Sequence, residues 1–297
     1  MDGPVGFIGL GIMGRPMAAN LSKQIEVVGF DVDEKRFEGL KNVRRAASIA
    51  EVAKSCSVVL LSLPGTAIVE SVTAGPGGLF ETLQPGSLIV DVSTTMPTAS
   101  QKLAKLATAK SLQYADAPVS GGEAGATDAS LSVMVGASQS TFDRALPYLS
   151  AIGRSVVRLG DVGAGGVAKL VNNMIVGAEF AVIAEGFALA ARFGLDAESL
   201  FEAIRGGWAA SKVLEVSAPA MIKQDYRPGG TVDLIEKDIG YARTLATEKR
   251  VPVPVTAITH EIYVAAQARG EGKSAQPVII KMWEDLLDLQ VGGEKQT

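Results

Sequence analysis

The feature that most constrains the fold is a glycine string close to the N-terminus. The letters GLGIMG occupy residues 9–14, between an apolar run at 5–8 and a predicted helix over 12–23. In such a strand–turn–helix unit the first glycine permits a tight turn and the second lets the backbone approach a pyrophosphate. The third lets the helix pack closely on the strand. The string therefore predicts a dinucleotide-binding turn made of Gly9, Gly11, Ile12, Met13 and Gly14.

An acidic residue stands where such a turn needs one. Asp31 ends the second apolar run, 22 residues after Gly9. A carboxylate there accepts hydrogen bonds from ribose hydroxyls and repels a 2′-phosphate. Lys35 and Arg36 would attract that phosphate, but we place them on the next helix, facing solvent. The sequence thus predicts NAD as cofactor, with NADP as the alternative.

The first half of the chain alternates short strand-like runs with helical stretches. The runs lie at 5–8, 27–30, 58–63, 88–92, 113–116, 131–135 and 156–159. The first four are almost wholly apolar, as expected of strands covered on both faces. This alternation predicts an α/β fold with a doubly wound, mainly parallel Rossmann sheet over residues 1–162.

The composition changes after Gly160. Residues 167–193 are rich in alanine, valine and leucine and contain no proline, which predicts a long interdomain helix. Further helices are predicted over 197–204, 233–247, 254–269 and 278–289. We therefore expect an all-helical C-terminal domain over 163–297. The apolar run 174–184 is interrupted by Glu179 and is judged too short and too charged to span a bilayer.

Charge and composition exclude several classes of function. A net charge of −4 argues against nucleic acid or an anionic membrane as a partner. The single cysteine, Cys56, allows no intrachain disulfide, and no targeting segment is recognised, so we expect a cytoplasmic protein. His260 is the single histidine and lies in a predicted helix, so neither a metal site nor a histidine base is expected.

A nicotinamide enzyme that oxidises an alcohol needs a residue to accept the hydroxyl proton. Because His260 is an unlikely base, Lys169 is the candidate. Lys169 and Asn173 are spaced i, i+4 on the long helix, with Asn172 beside them. An ammonium and two amides in an apolar helix are costly to bury without partners, which indicates a polar site. A solvated helix start is the alternative interpretation. Lys169 is predicted to exchange the proton when an alcohol and a carbonyl are interconverted.

A third glycine-containing segment is a candidate anion site. The letters DAPVSGG occupy residues 116–122, where the Ser120 hydroxyl and the amides of Gly121 and Gly122 are suited to a substrate carboxylate. A tight connecting loop is the other interpretation. By contrast, the GKS letters at 272–274 are interpreted as a surface turn, because Gln267 stands where a phosphate-binding loop requires glycine.

Four segments together, at residues 9–21, 116–122, 163–173 and 237–240, resemble the ordered motifs of the β-hydroxyacid dehydrogenase family, which includes 3-hydroxyisobutyrate dehydrogenase. The resemblance implies a Rossmann domain, a helical C-terminal domain and a homodimer or homotetramer. It implies Lys169 as the catalytic residue and Asn173, with Asn172, as substrate-binding. It adds residues that line the cofactor: Leu63, Pro64, Thr94 and Lys237.

Within that family, residues 205–214 resemble the 2-hydroxy-3-oxopropionate (tartronate semialdehyde) reductases, which make D-glycerate, and suggest Trp208 and Ser211 as substrate-binding. Trp208 replaces a smaller apolar residue, and ordinary core packing is its alternative role. Residues 251–257 also resemble 2-(hydroxymethyl)glutarate dehydrogenases, and 3-hydroxyisobutyrate dehydrogenase stays open. An imine reductase of related fold would not be expected to keep the lysine motif. A non-catalytic dinucleotide sensor would leave Lys169 without a task.

Overall fold

A computed structural model describes residues 3–227 and 229–292 of the chain. The protein divides into one unit that ends at Lys169 and a second that begins at Leu170. The domain boundary between residues 162 and 163 stays a prediction, and residues 1–2, 228 and 293–297 of its ranges lie outside the described residues.

The first unit is organised around a nine-stranded sheet. Its strands are β1 (Val5–Ile8), β2 (Val27–Phe30), β3 (Val43–Arg45), β4 (Val58–Leu61), β5 (Leu88–Asp91), β6 (Gln113–Asp116), β7 (Val119–Ser120), β8 (Leu131–Gly136) and β9 (Gly153–Gly160). The order is β3-β2-β1-β4-β5-β6-β8-β7, with β9 paired to β8. Strands β1 to β6 run parallel, whereas β8 is antiparallel to β6 and β7. The predicted doubly wound fold is confirmed.

Both faces of this sheet are covered by helices and form separate apolar cores. Along β1, Val5 and Phe7 join one core, whereas Ile8 joins the other, as the two-residue period of a strand requires. The helices of the unit are α1 (Gly14–Leu21), α2 (Ile49–Ser55), α3 (Thr66–Ala74), α4 (Leu79–Thr82), α5 (Pro97–Ala109), α6 (Gly122–Thr127) and α7 (Gln139–Ser150). Helix α1 begins later than predicted because residues 11–13 form the turn that precedes it.

The second unit is helical. Helix α8 (Ala164–Arg192) begins in the first unit and is followed by α9 (Ala197–Ile204), α10 (Lys212–Lys223), α11 (Val232–Lys249), α12 (Pro254–Ala268) and α13 (Ile280–Leu287). Buried Phe187, Met221, Ile239 and Tyr263 belong to its core. Among its described residues, β pairing is limited to one isolated bridge between Thr231 and Ala275.

Helix α8 is much longer than the apolar run 174–184 that lies within it. It has 29 residues, and an 18-residue window within it has a mean hydropathy of 1.8, with 39% of that window buried. By length and composition alone it is therefore able to cross a bilayer, because the helix extends well beyond the apolar run 174–184 on both sides. A single helix of this kind is weak evidence, since the core helix of a soluble protein has the same properties.

Candidate active site

The glycine turn has the three steric properties predicted for it. Gly9 has a φ of +94°, and a Cβ there would collide with the Ser62 carbonyl. A Cβ at Gly14 would collide with the Gly9 carbonyl, so this glycine lets α1 lie against the end of β1. A Cβ at Gly11 would meet no protein atom within 4 Å. The surface at Gly11 is therefore open, which fits close approach of a pyrophosphate to the backbone.

Asp31 connects this turn to the end of β2. The Leu10 N–H donates to its Oδ2 at 2.6 Å, and the Asp33 N–H donates to its Oδ1 at 2.9 Å. The carboxylate is half-buried, and its remaining lone pairs are suited to ribose hydroxyls. Lys35 and Arg36 lie exposed in a 3-10 turn, Glu34–Phe37, rather than in the predicted helix. Arg36 is paired with Asp33 at 3.3 Å.

The other predicted cofactor-lining residues of this unit lie on loops that follow neighbouring strands. Leu63 and Pro64 follow β4, and Thr94 follows β5. The Leu63 N–H donates to Ser93 Oγ at 2.9 Å, which joins the two loops. These loops, the glycine turn and Asp31 therefore share the carboxyl edge of the parallel strands, where doubly wound sheets bind ligands.

A buried carboxylate that the sequence analysis did not single out supports the β5 loop. Asp91 Oδ2 accepts the hydroxyls of Thr95 at 2.6 Å and Tyr114 at 3.1 Å, and its Oδ1 accepts the Ser93 N–H at 3.0 Å. Burial raises the pKa of Asp91 above its usual range, against the lowering effect of these hydrogen bonds. The sequence signal that could have identified Asp91 is its position as a single acidic residue at the end of an apolar strand.

A second buried carboxylate holds the start of α8. Asp116 ends β6, and its two oxygens accept the backbone N–H groups of Gly163 and Gly166, each at 2.7 Å. Burial raises the pKa of Asp116 to about 6, although both bonds favour its charged form. Lys169, half-buried, follows Gly166 by three residues in the same helix. In the sequence, Asp116 is only the first letter of the DAPVSGG motif, and no role was predicted for it.

The DAPVSGG segment runs from the end of β6 through the short strand β7 to a glycine turn that leads into α6. Ser120 is half-buried and pairs with Ser132 of β8. Gly121 and Gly122 are exposed and have φ values of +138° and +63°, which side chains rarely adopt. No protein atom lies within 4 Å of a Cβ built on Gly122. The turn itself is observed, while its binding of a carboxylate stays a prediction.

The second unit has its own polar cluster. Asn172 Nδ2 donates to Asn173 Oδ1 at 2.9 Å, and Asn173 Nδ2 donates to Asp238 Oδ2 at 2.6 Å. The other oxygen of Asp238 accepts Lys237 Nζ at 2.5 Å. Lys237 Nζ also lies 4.8 Å from the ring centroid of Tyr241. Three predicted site residues, Asn172, Asn173 and Lys237, are therefore linked through Asp238, which the sequence analysis did not assign.

Comparison with known proteins identifies the family. Residues 4–160 match the model described as the NAD binding domain of 6-phosphogluconate dehydrogenase. Residues 163–283 match the model described as NAD-binding of NADP-dependent 3-hydroxyisobutyrate dehydrogenase. The chain is 38% identical over 293 residues to the 2-(hydroxymethyl)glutarate dehydrogenase of Eubacterium barkeri, covering 97% of both chains. The chain belongs to the β-hydroxyacid dehydrogenase family.

Two further relatives agree with this membership. The 2-hydroxy-3-oxopropionate reductase of Escherichia coli is 32% identical, with 94% of this chain and 97% of that one covered. The crystal structure of 3-hydroxyisobutyrate dehydrogenase from Salmonella typhimurium has a TM-score of 0.88 at 29% identity, covering 95% of this chain and all of that one. The protein is thus an NAD(P)-dependent oxidoreductase that acts on CH–OH groups, which argues against the sensor hypothesis.

In this β-hydroxyacid dehydrogenase, Trp208 and Ser211 lie in the connection between α9 and α10. Trp208 is fully exposed, so it does not pack in the core. Ser211 caps α10 and accepts the Leu214 N–H at 3.0 Å. Both border an apolar groove of about 390 Å³ whose lining includes none of Asn172, Asn173 and Lys237. Substrate binding by Trp208 and Ser211 stays a prediction.

Two remaining sequence features have structural roles. His260 lies on α12, with Nε2 3.0 Å from Glu236 Oε1 and Nδ1 2.7 Å from Arg243 Nη1. The GKS letters lie in a turn after α12, where Lys273 Nζ contacts Asp233 Oδ2 at 2.8 Å. Among the residues that the structure describes, no group of three or more histidine, cysteine or acidic side chains is arranged to hold a metal ion.

Proposed function

We propose that the enzyme interconverts a short 3-hydroxy acid and its semialdehyde, with Lys169 as the general acid and base. The observation that carries this proposal is the position of Lys169 in the first turns of α8. The start of that helix is bonded to Asp116 at the carboxyl end of β6. Strand β6 is next to β5, whose following loop contains Thr94. Lys169 therefore belongs to the part of the unit that also contains the cofactor loops.

A bound nicotinamide supplies the hydride for reduction of the semialdehyde and takes it up in the reverse direction. The chain's own task is the proton. In reduction, the Lys169 ammonium donates a proton to the carbonyl oxygen as that oxygen becomes a hydroxyl. In oxidation, the neutral Lys169 amine accepts the hydroxyl proton. Charge and protons then balance with no residue besides Lys169 changing its protonation state.

The same proposal assigns binding roles to the predicted residues. The turn from Gly9 to Gly14, including Ile12 and Met13, would hold the pyrophosphate, and Asp31 the adenosine ribose. Leu63, Pro64, Thr94 and Lys237 would line the remainder of the cofactor. The substrate carboxylate would bind to Ser120, Gly121 and Gly122, with Asn172 and Asn173 contacting the substrate. Asp238 supports this role by fixing the Asn173 amide at 2.6 Å.

For the substrate itself we propose 2-hydroxy-3-oxopropionate, reduced to D-glycerate, because residues 205–214 resemble the reductases of that compound. The second candidate is 2-(hydroxymethyl)glutarate. Its support is the 38% identity to the dehydrogenase that acts on it, against 32% for the 2-hydroxy-3-oxopropionate reductase. One steady-state screen of kcat/KM separates the two candidates. It should compare both of them with 3-hydroxyisobutyrate and L-threonate, and each active acid with its methyl ester. Equal kcat/KM for acid and ester would contradict recognition of a carboxylate.

The role of Lys169 is tested by Lys169→Ala. Since general acid–base transfer contributes about 10²–10⁴-fold, kcat should fall by at least about 100-fold while NADH binding is retained. Lys105→Ala, an exposed lysine of α5 in the same unit, is the matched control and should keep full activity. A Lys169→Ala enzyme with more than about a tenth of the original kcat would contradict the assignment.

We further propose a preference for NAD over NADP, because Asp31 meets the ribose while Arg36 is engaged by Asp33. Parallel kcat/KM measurements with the two reduced cofactors decide this point, and a preference for NADPH would contradict it.

We also propose that the protein is cytoplasmic and that it forms a homodimer or homotetramer. The oligomer is supported by a row of exposed apolar side chains on α8, which a second copy would cover: Val171, Ile175, Val182 and Leu189. Light scattering of the purified protein tests the oligomer.

A further inference from the structure

Asp116 is the C-terminal residue of a sheet strand, yet both of its carboxylate oxygens are bonded to a helix. Helix α8 begins at Ala164, so Gly163 immediately precedes it and Gly166 lies in its first turn. Such N–H groups have no partner inside a helix and are normally satisfied by a residue adjacent in sequence. Here they are satisfied from 47 and 50 residues away, by the two oxygens of one side chain.

Two glycines around this carboxylate allow the start of α8 to lie close to the sheet. Gly136, paired opposite Asp116 in β8, has no room for a Cβ because it would collide with Asp116 Oδ1. A Cβ on Gly165 would lie 3.0 Å from Asp116 Oδ2 and would also collide with the Met134 carbonyl. Glycine at these two positions lets the first turn of α8 lie directly against β6 and β8. Asp116 is itself only 2% exposed.

The rest of the first turn completes this attachment. The Ala164 N–H donates to the Asp161 carbonyl at 3.0 Å, and the Val167 N–H makes a helical bond to the Gly163 carbonyl at 2.9 Å. Gly163 has a φ of +101°, so the chain enters the helix through a conformation that glycine favours. The start of α8 is therefore fixed to the sheet at residues 163–166, and Lys169 follows three residues later in the same helix.

We propose that Asp116 is a positioning residue for catalysis, which acts by fixing the first turn of α8 and thereby the backbone of Lys169. This inference rests on the proposed role of Lys169. Asp116 acts through backbone bonds and need not touch substrate or cofactor. Because a catalytic group misplaced by about 1 Å can cost roughly 100-fold in rate, a loosened first turn would lower kcat and leave cofactor affinity unchanged.

The test is Asp116→Asn in the full-length enzyme, with Asp161→Asn as the matched control. Asparagine retains one acceptor oxygen and presents an amide to the second N–H. Hydrogen exchange followed by NMR should show at least about tenfold faster exchange at Gly163 or Gly166, with the core amides of β5 unchanged. We expect kcat to fall by about tenfold to 100-fold, and the KM for the reduced cofactor to stay within twofold. Asp161→Asn changes an exposed carboxylate in the preceding turn and should leave the amide exchange, kcat and the cofactor KM unchanged.

Several outcomes would overturn the proposal. One is a kcat within twofold of the original, and another is an equal loss of kcat and cofactor affinity. If Asp116→Asn does not fold, exchange in the unmodified enzyme decides: unprotected amides at Gly163 and Gly166 would refute the attachment. Lys169→Ala separates the two hypotheses. Full activity of Lys169→Ala refutes the proposed function, whereas its inactivity beside an unimpaired Asp116→Asn refutes the positioning role alone.

Discussion

Asp116 and Asp238 are both buried carboxylates, one in each unit, but they are satisfied in different ways. Asp116 accepts two backbone N–H groups, those of Gly163 and Gly166. Asp238 accepts the Asn173 amide and the Lys237 ammonium. Burial raises the pKa of Asp116 to about 6, so its ionised form is unfavourable in the folded state. Asp116 therefore orders the start of a helix at a cost in stability, whereas Asp238 stabilises the fold through its partners.

Removing the carboxylate of the second unit should give the largest loss of stability. Asp238→Ala leaves the Asn173 amide and the Lys237 ammonium without their acceptor in a largely buried place, with the Lys237 side chain 24% exposed. Truncating one partner of such a pair should lower the free energy of unfolding by about 3 kcal/mol. Urea denaturation at neutral pH measures it.

Asp238→Asn is the control for that experiment. It preserves the shape and one acceptor oxygen, so we expect it to lose less stability than Asp238→Ala. A loss below about 1 kcal/mol for the alanine variant would show that Asp238 is no more important to the fold than an exposed ion pair.

The second prediction concerns pH and Asp116. An aspartate titrates near about 3.9 when unfolded, and burial raises the pKa of Asp116 to about 6 in the fold. Between these values the folded state binds more protons, so the contribution of Asp116 makes stability fall as pH rises, and the change levels off about one pH unit above the folded pKa. Over that interval the contribution amounts to about 2–3 kcal/mol, at about 1.4 kcal/mol per unit of pKa.

Because other carboxylates titrate in the same range, the quantity to measure is the difference in unfolding free energy between the original enzyme and Asp116→Asn. This difference should favour the original enzyme most at about pH 4 and decline toward pH 7. A difference that is constant with pH would contradict the raised pKa of Asp116.

The smallest expected effect is the stability of Asp116→Asn at neutral pH. The substitution removes an unfavourable buried charge but leaves one N–H unsatisfied, and each of these effects is about 1–3 kcal/mol with opposite sign. We expect the unfolding free energy to change by less than about 1 kcal/mol although kcat falls. Thermal and urea unfolding measure it, and a loss as large as that of Asp238→Ala would remove the distinction between the two carboxylates.

Much of the fold could be predicted because its patterns are long or strongly apolar. Strands β1, β2 and β6 have the predicted bounds, as does α9. Strands β3 and β7 were missed because they have only three and two residues, and β3 contains two exposed arginines. Helix α10 was missed, and it contains Pro219, which a sequence pattern does not favour inside a helix.

The residues of the candidate site also fall into two groups, those whose roles the sequence predicts and those whose roles it does not. The roles of Gly9 and Gly14 follow from local sterics, which a sequence motif can encode. The roles of Asp116 and Asp238 depend on partners 47 to 65 residues away, which periodicity does not indicate. Trp208 shows that a recognised segment does not fix the burial of its residues. Substrate contact and core packing were both possible for this apolar residue, and it is fully exposed.

The bond from Leu10 N–H to Asp31 has a consequence for redesigning the enzyme toward NADP. Under the role proposed for Asp31, replacing it by an apolar residue would relieve repulsion of the 2′-phosphate, but it would also leave the Leu10 N–H, held at 2.6 Å, without its acceptor. The glycine turn would then lose an anchor, and affinity for both cofactors would decline together. Asparagine or serine retains an acceptor oxygen without the charge, so a successful exchange of specificity should begin with one of these residues and free Arg36 from Asp33 in a second step.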